Sequence, residues 1–295
     1  MEERKKRRGD RRDGYWLNDL PGMTQFTPYI YPNRADNEAY INLEVDLRPI
    51  DAYLAKKNDG LTTDKYTYFH VVCAAIAKAF VLRPKMNRFI AGNRVYARKY
   101  LSMAFVVKKR FEDQSEEGLA FRYFDQDSTI DTLHASLMDE IHQLRRGDVK
   151  DNSTEFMDKL VKLPRFVLRL IMKILFFLDR RGIAPYSLVK TDPNYASIFL
   201  SNLGSINLEC GYHHLNNWGT NSCFVVIGRK HMAGRYQEDD SVDVHPVLPL
   251  GITLDERIAD GYYYSGTVAL VKELLAHPEL LELPASTPVE YAVRR

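Results

Sequence analysis

Residues 247–276 constrain the fold of this chain more than any other stretch. Val247, Pro249, Gly251 and Thr253 alternate with Leu248, Leu250, Ile252 and Leu254, which is the period of a strand. Asp260-Gly261 interrupts that pattern, and apolar residues resume at helical spacing through Val268, Leu270, Leu274 and Leu275. A strand that turns directly into a helix has two apolar faces to bury, so helices packed on a sheet are expected. The 295 residues, 45% of them hydrophobic, can build one large α/β domain as well as two small ones. No Pro/Gly/Ser-rich linker, low-complexity tract or internal repeat divides them.

The turn itself, Leu254-Asp255-Glu256-Arg257-Ile258-Ala259-Asp260-Gly261, resembles the Asp-His-Arg-x-x-Asp-Gly signature of the dihydrolipoyl acyltransferases. These are the core components of 2-oxoacid dehydrogenase complexes and share a fold with chloramphenicol acetyltransferase. Glu256 stands at the position of the signature histidine. Ile198-Phe199-Leu200-Ser201-Asn202-Leu203-Gly204 is similar to the family's strand ending in Ser-Asn-Leu-Gly, and Cys223 to Gly228 to the buried strand after it. Segments 69–82, 88–96, 101–107 and 129–144 resemble the first half of the same domain. The resemblance spans residues 24–283 and is specific in its C-terminal third.

It implies a two-layer α/β sandwich of the chloramphenicol acetyltransferase type, a mixed sheet covered by helices. Strands are expected near 40–46, 88–96, 101–107, 119–123, 197–201, 223–228 and 247–254, and helices near 63–82, 130–144, 155–180 and 265–276. Residues 15–295 are expected to form one catalytic domain, with no lipoyl or subunit-binding module ahead of Tyr15. Because the family builds its active sites between subunits, a homotrimer is expected, with coenzyme A or an acyl-CoA as substrate.

The family's histidine removes the thiol proton of coenzyme A or dihydrolipoamide, and the thiolate attacks an acyl thioester. Histidine suits that task because its pKa of ~6.5 lies near neutrality and not far below the ~8.5 of a thiol. A glutamate starts at ~4.3, so its drive to accept a thiol proton is weaker by about two further pK units. An ionised carboxylate beside the sulfur also opposes thiolate formation. Ordinary thiol-to-thioester transfer is therefore expected to be slowed by the ~10²–10⁴-fold usually credited to a positioned base, or more. Two classes stay open: a protein that keeps the scaffold with weak or absent transfer, and an active acyltransferase using Glu256 or one of His213 and His214 as base.

By the same resemblance Ser201 donates to the oxyanion of the tetrahedral intermediate, though it could also simply end a strand. Arg257 and Asp260 match the signature's ion-pairing and turn positions, Asp260 standing with Glu256, Ser201 and His214 among the catalytic candidates, while Asp255 and Asn202 belong to the motifs and Gly261 fits the helix entry. Gly211-Tyr212-His213-His214-Leu215-Asn216-Asn217-Trp218 either forms a polar site in an aromatic pocket or is a hydrogen-bonded loop. His70 reads as a satisfied core or interface residue. Tyr262, Tyr263 and Tyr264 line a channel mouth or pack the helix start.

Formal charge is +2, unevenly spread: the first thirteen residues hold seven Lys/Arg against four acids. Residues 1–14 are thus expected to be a basic, solvated arm, and nothing suggests a nucleic-acid fold. Three cysteines without metal-ligand spacing, and no signal peptide, favour a reduced cytoplasmic setting. No metal is expected, since there is no His-Glu-x-x-His pair and Glu238-Asp239-Asp240 reads as an exposed hairpin turn. In the helix near 155–180, Arg165, Arg169 and Lys173 recur along one stripe of an otherwise apolar segment. Such a helix could lie on an anionic membrane. Packing of Leu168, Leu170, Ile171, Ile174, Leu175 and Leu178 against the domain or a neighbouring subunit is the preferred reading.

Overall fold

A computed structural model describes residues 5–108, 117–146, 160–190 and 192–293. Ten strands form two sheets. The small sheet is antiparallel, with β1 (Gly14–Trp16), β4 (Arg94–Arg98) and β3 (Arg88–Ala91) in that order. The large one runs β2 (Glu38–Asp46), β10 (Val242–Asp255), β8 (Cys223–Ile227), β7 (Ile198–Asn202), β5 (Leu101–Lys108), β6 (Glu117–Phe124), and β9 (His231–Tyr236) pairs with the first half of β10. It is mixed: β7 lies parallel to both β5 and β8, and the other pairs are antiparallel.

The expected architecture is present, with three corrections among the strands, the first being the unexpected β1. The segment expected as one strand over 88–96 is a hairpin of the separate small sheet. Its two-residue turn, Gly92-Asn93, takes positive φ at both positions, as a tight hairpin requires, and a Cβ on Gly92 would lie 2.7 Å from the Arg180 carbonyl. Strand β9 carries no clear alternation and was not expected. The turn that joins it to β10, at Asp239-Asp240, is where the charge cluster placed it, with Asp240 in the left-handed region.

Seven helices are described: α1 (Gly22–Ile30), α2 (Arg48–Lys57), α3 (Tyr68–Leu82), α4 (Ile130–Arg146), α5 (Arg165–Arg180), the single turn α6 (Tyr186–Val189) and α7 (Gly261–Ala276). Neither α1 nor α2 was expected; α1 contains Pro28, and α2 buries only Ile50 and Leu54 in a polar run. Helices α3, α4 and α7 cover one face of the large sheet and close the main core with Met103, Ile198, Leu200 and Leu250. Nearly every side chain of α3 is buried, Lys78 included, and its ammonium donates to the carbonyls of Leu280 (2.8 Å), Leu283 (3.3 Å) and Pro284 (3.0 Å).

His70 lies in this core, and it is only half satisfied. Its Nδ1 accepts from the Thr67 amide at 3.1 Å and helps cap α3, whereas Nε2 is buried without a partner among the described residues. Burial, reinforced by nearby His134, pushes the imidazole down to about 3.

Two further expectations fail. Helix α5 starts at Arg165 behind Pro164, and the first part of its expected span, 155–159, lies outside the described residues. It packs on one side through Leu175 and Asp179, but Leu170 is 58% and Ile174 49% exposed, in line with exposed Phe166 and Phe177. The preferred packing thus holds for half the helix. No described helix is long and apolar enough to cross a membrane. The basic arm is also folded in its described part: Arg11 is buried and pairs with Asp13 and Asp179, because the small sheet starts at Gly14 and pins the preceding residues to the domain.

Candidate active site

The signature turn is held by a sealed ionic brace. Asp255, the last residue of β10, is 0% exposed and binds Arg257 through both oxygens, Nε to Oδ1 and Nη2 to Oδ2, each at 2.7 Å. A second buried guanidinium, Arg34, places Nε 3.6 Å from Asp255 Oδ2, an ion pair too long to be a hydrogen bond. Backbone carbonyls satisfy the rest of both arginines: Tyr31 and Pro32 for Arg257, and Asn216, Ile90 and Gly219 for Arg34. Tyr264 donates to the Asp255 carbonyl at 2.9 Å and locks α7 onto the strand end.

Asp260 caps α7, which begins four residues before its expected start, its Oδ1 accepting the Tyr263 amide at 2.9 Å, and it makes no ion pair with Arg257. That hydrogen bond holds its carboxyl below the usual range. Gly261 is the first helical residue, with open space around its Cα. Tyr262 is exposed, whereas Tyr264 is buried and Tyr263 packs beneath the Arg83 guanidinium, which sits 3.8 Å from its ring centroid; the aromatic run mainly packs the helix start. Glu256 is different in kind. Its amide donates to the Asn37 carbonyl at 2.9 Å, and its side chain is exposed. The turn therefore fixes the backbone and projects one free side chain.

Ser201 and Asn202 end β7 at the other end of the sheet. Asn202 Oδ1 accepts from the Ser205 amide at 3.3 Å and shapes the turn after the strand. Ser201 lines a cavity of about 380 Å³ with Phe69, Val106, Phe199, His213 and Phe224. Through β8, Ser201 lies beside Val226 and Leu254 beside Cys223, so Glu256 is displaced by about five residues, on the order of 15 Å, along the strand direction. One chain does not bring Glu256 to Ser201.

The loop before β8 resolves its two readings unevenly. Asn217 accepts the Arg34 and Ala35 amides, Asn216 donates to Asn194, and Trp218 donates to Asp192 at 2.6 Å, so these side chains tie the loop down. His214 does not line the Ser201 cavity. His213 does, stacked on Phe224 with centroids 4.1 Å apart and planes at 9°. Its Nδ1 lies 2.8 Å from the His214 carbonyl, an acceptor. Nδ1 therefore acts as the donor in this contact, which leaves Nε2 as the acceptor nitrogen of a neutral ring. Among the described residues no group of His, Cys, Asp or Glu could hold a metal ion.

Arg34 was missed by sequence reasoning; its partners lie up to 185 residues away, and no local pattern marks it.

Residues 187–283 match the family model of the 2-oxoacid dehydrogenases acyltransferase (catalytic domain). No curated protein matches the sequence. Among solved structures, a probable dihydrolipoamide acetyltransferase from Listeria monocytogenes 4b F2365 aligns at 13% identity and a TM-score of 0.58, over 90% of this chain and 95% of that one. The cubic core of a pyruvate dehydrogenase multienzyme complex aligns at 13% and 0.59, over 90% and 94%. A chloramphenicol acetyltransferase aligns at 13% and 0.54, over 89% and 99%. At these identities the structural likeness establishes the fold, and the sequence match covers the strand, turn and helix that carry Ser201 and the signature. This protein thus resembles the 2-oxoacid dehydrogenase acyltransferase catalytic domain in sequence through residues 187–283, and shares the fold of such acyltransferases along most of its length.

Proposed function

We propose that this protein is a homotrimeric member of the family that takes coenzyme A or acyl-CoA as substrate and performs ordinary thiol-to-thioester acyl transfer weakly or not at all. The observation that carries this reading is the signature turn: the Asp255–Arg257 brace and the Asp260 cap are intact, while the side chain they project is Glu256. A serine, a histidine and an asparagine have been investigated for roles in the catalytic mechanism of the dihydrolipoamide acetyltransferase of Azotobacter vinelandii, the last two four residues apart. Glu256 and Asp260 have the same spacing here. Because Glu256 and Ser201 lie at opposite ends of one sheet, a second copy must supply the group facing the Ser201 cavity. A carboxylate there repels the thiolate that the reaction must generate, where a neutral imidazole would accept its proton.

The test is acetyl transfer from acetyl-CoA to dihydrolipoamide. A turnover within about tenfold of an ordinary dihydrolipoyl acyltransferase, a barrier difference below ~1.4 kcal/mol, would overturn the reading. Glu256→His is expected to raise turnover.

His213 supports a second reading, an active enzyme with a non-standard base. It shares the cavity of Ser201, and its Nδ1 is engaged by the His214 carbonyl, so Nε2 is the ring nitrogen left for a substrate proton. Under this reading His213→Gln abolishes transfer to a hydroxyl, amine or thiol acceptor and Glu256→Gln leaves it intact.

A further inference from the structure

A second cavity, of about 510 Å³, lies over the outer face of the large sheet at the opposite end of β5 from the Ser201 cavity. Ser102 lines one and Val106 the other; they are four residues apart on one strand, roughly 13 Å. Residues before β1, together with residues between Asp179 and Lys190 and with Tyr195, complete its walls.

Its charges do not balance internally. Arg11 takes both oxygens of Asp13, Nε to Oδ1 at 2.8 Å and Nη2 to Oδ2 at 3.1 Å, and lies 3.6 Å from Asp179. Asp179 Oδ1 also accepts from the Tyr195 hydroxyl at 2.6 Å. The two acids are thereby hydrogen-bonded, and although Asp13 also attracts Arg98 through space, Arg12, Arg98 and Lys190 have no carboxylate hydrogen-bonded to them among the described residues. Arg98 is 3% exposed and donates only to neutral groups, the Tyr195 carbonyl (2.8 Å), Thr220 Oγ1 (2.9 Å) and the Thr220 carbonyl (2.7 Å). Its Nε is buried with no hydrogen-bond partner among the described residues. Arg12 donates to the Ala184 carbonyl and lies over the Tyr186 ring, and neither Arg12 nor Lys190 has a carboxylate partner among the described residues. A guanidinium out of water with only neutral acceptors is costly unless an anion joins it.

The remaining wall is largely aromatic. Tyr100 and Tyr123 meet edge to face at 5.9 Å, and Phe121 and Tyr186 add further rings. An enclosure of this volume, with apolar rings and a few converging polar groups, has the form of a small-molecule site. We propose that this cavity binds a small organic carboxylate with an aromatic or aliphatic body, its charge met by the basic groups of Arg12, Arg98 and Lys190 and its body by the tyrosine rings. The proposal involves no step of acyl transfer and stands whether or not the Ser201 cavity is active.

The test is calorimetric titration of the purified full chain with a series of aryl and alkyl carboxylates of six to twelve carbons, 3-phenylpropionate and octanoate among them, alongside their neutral amides and inorganic phosphate. At least one carboxylate is expected to bind, with its amide about tenfold weaker, the effect of losing one charge-assisted hydrogen bond. Arg12→Glu and Lys190→Glu, both at the cavity edge, are expected to weaken binding about tenfold each, and Tyr186→Ala to weaken the aryl compounds more than phosphate. Unchanged melting temperatures exclude misfolding of these variants. Absence of binding across the series, equal affinity for acid and amide, or affinity unaffected by both charge reversals would overturn the proposal, as would binding of phosphate alone.

Discussion

The chain buries two ionic clusters, and they differ in what surrounds them. Around Asp255, two arginines and five backbone carbonyls close nearly every direction, leaving a cleft of only about 50 Å³ and the Arg34 Nε without a hydrogen bond, so the cluster is a brace for the signature turn. Around Arg11, Asp13, Asp179 and Arg98, one side opens on a cavity of about 510 Å³. The contrast teaches that burial of charge has two uses in one fold. A sealed pair fixes backbone geometry, while an open one leaves donors that water or a ligand can reach.

Three substitutions test this difference. The largest effect is expected for Asp255→Ala, which strands two buried guanidinium groups; stability should fall by about 3–5 kcal/mol in denaturant unfolding. Exposed Glu256→Gln, the adjacent control, should stay within about 0.5 kcal/mol. A loss below about 1 kcal/mol for Asp255→Ala would mean that the brace is not sealed.

A smaller effect is expected for Arg11→Ala, which leaves Asp13 and Asp179 without their cation. Because cavity water can hydrate both, the expected loss is about 1.5–3 kcal/mol by the same measurement. A cost equal to that of Asp255→Ala would erase the distinction between sealed and open.

The smallest effect is expected for Asp179→Asn, and it depends on pH. Burial raises the Asp179 carboxyl above its ordinary value, against the opposing Tyr195 hydrogen bond and Arg11 charge. The folded state therefore binds more protons than the unfolded state between those two pKa values, and the contribution of this group falls as pH rises through the raised one. Asp13 behaves oppositely. Burial alone would raise it, but the Arg11 hydrogen bond and charge hold it below the ordinary value, so its contribution is present above that value and is lost on acidification. Asp179→Asn keeps an acceptor for Tyr195 and removes the charge, so a change within about 1 kcal/mol is expected at neutral pH. Melting curves from pH 4 to 8 should show a variant that gains on wild type as pH rises; a variant losing ground over that range would contradict the sign.

Much of the fold could be read locally. The alternation from Val247 to Leu254, the Asp260-Gly261 break and the helical spacing after it give β10, the turn and α7 without reference to any other residue. The Ser201 strand and Cys223 strand were equally legible, being short apolar runs bounded by turn residues. Helix α5 was legible as a helix, yet its orientation was not. Leu170 and Ile174 are as apolar as Leu175, and only the position of the neighbouring elements decides that Leu175 is buried. The basic N-terminal run has the composition of a solvated arm, and a single contact, Arg11 with Asp179, 168 residues away, shows its described part is not one.

The candidate site divides along the same line. Sequence by itself determined the strand, the turn and the identity of Glu256, because those depend on residues within a few positions of one another; that Arg257 pairs with Asp255 and Asp260 caps the helix was seen only in the structure. Tertiary structure alone decided that Arg34 braces Asp255, that His213 and not His214 faces Ser201, that Glu256 and Ser201 lie at opposite ends of one sheet, and that Arg98 borders a cavity with an unpaired donor. The physical reason is that strand register and the burial of a charge are set by partners distant along the chain, and no local period records who those partners are.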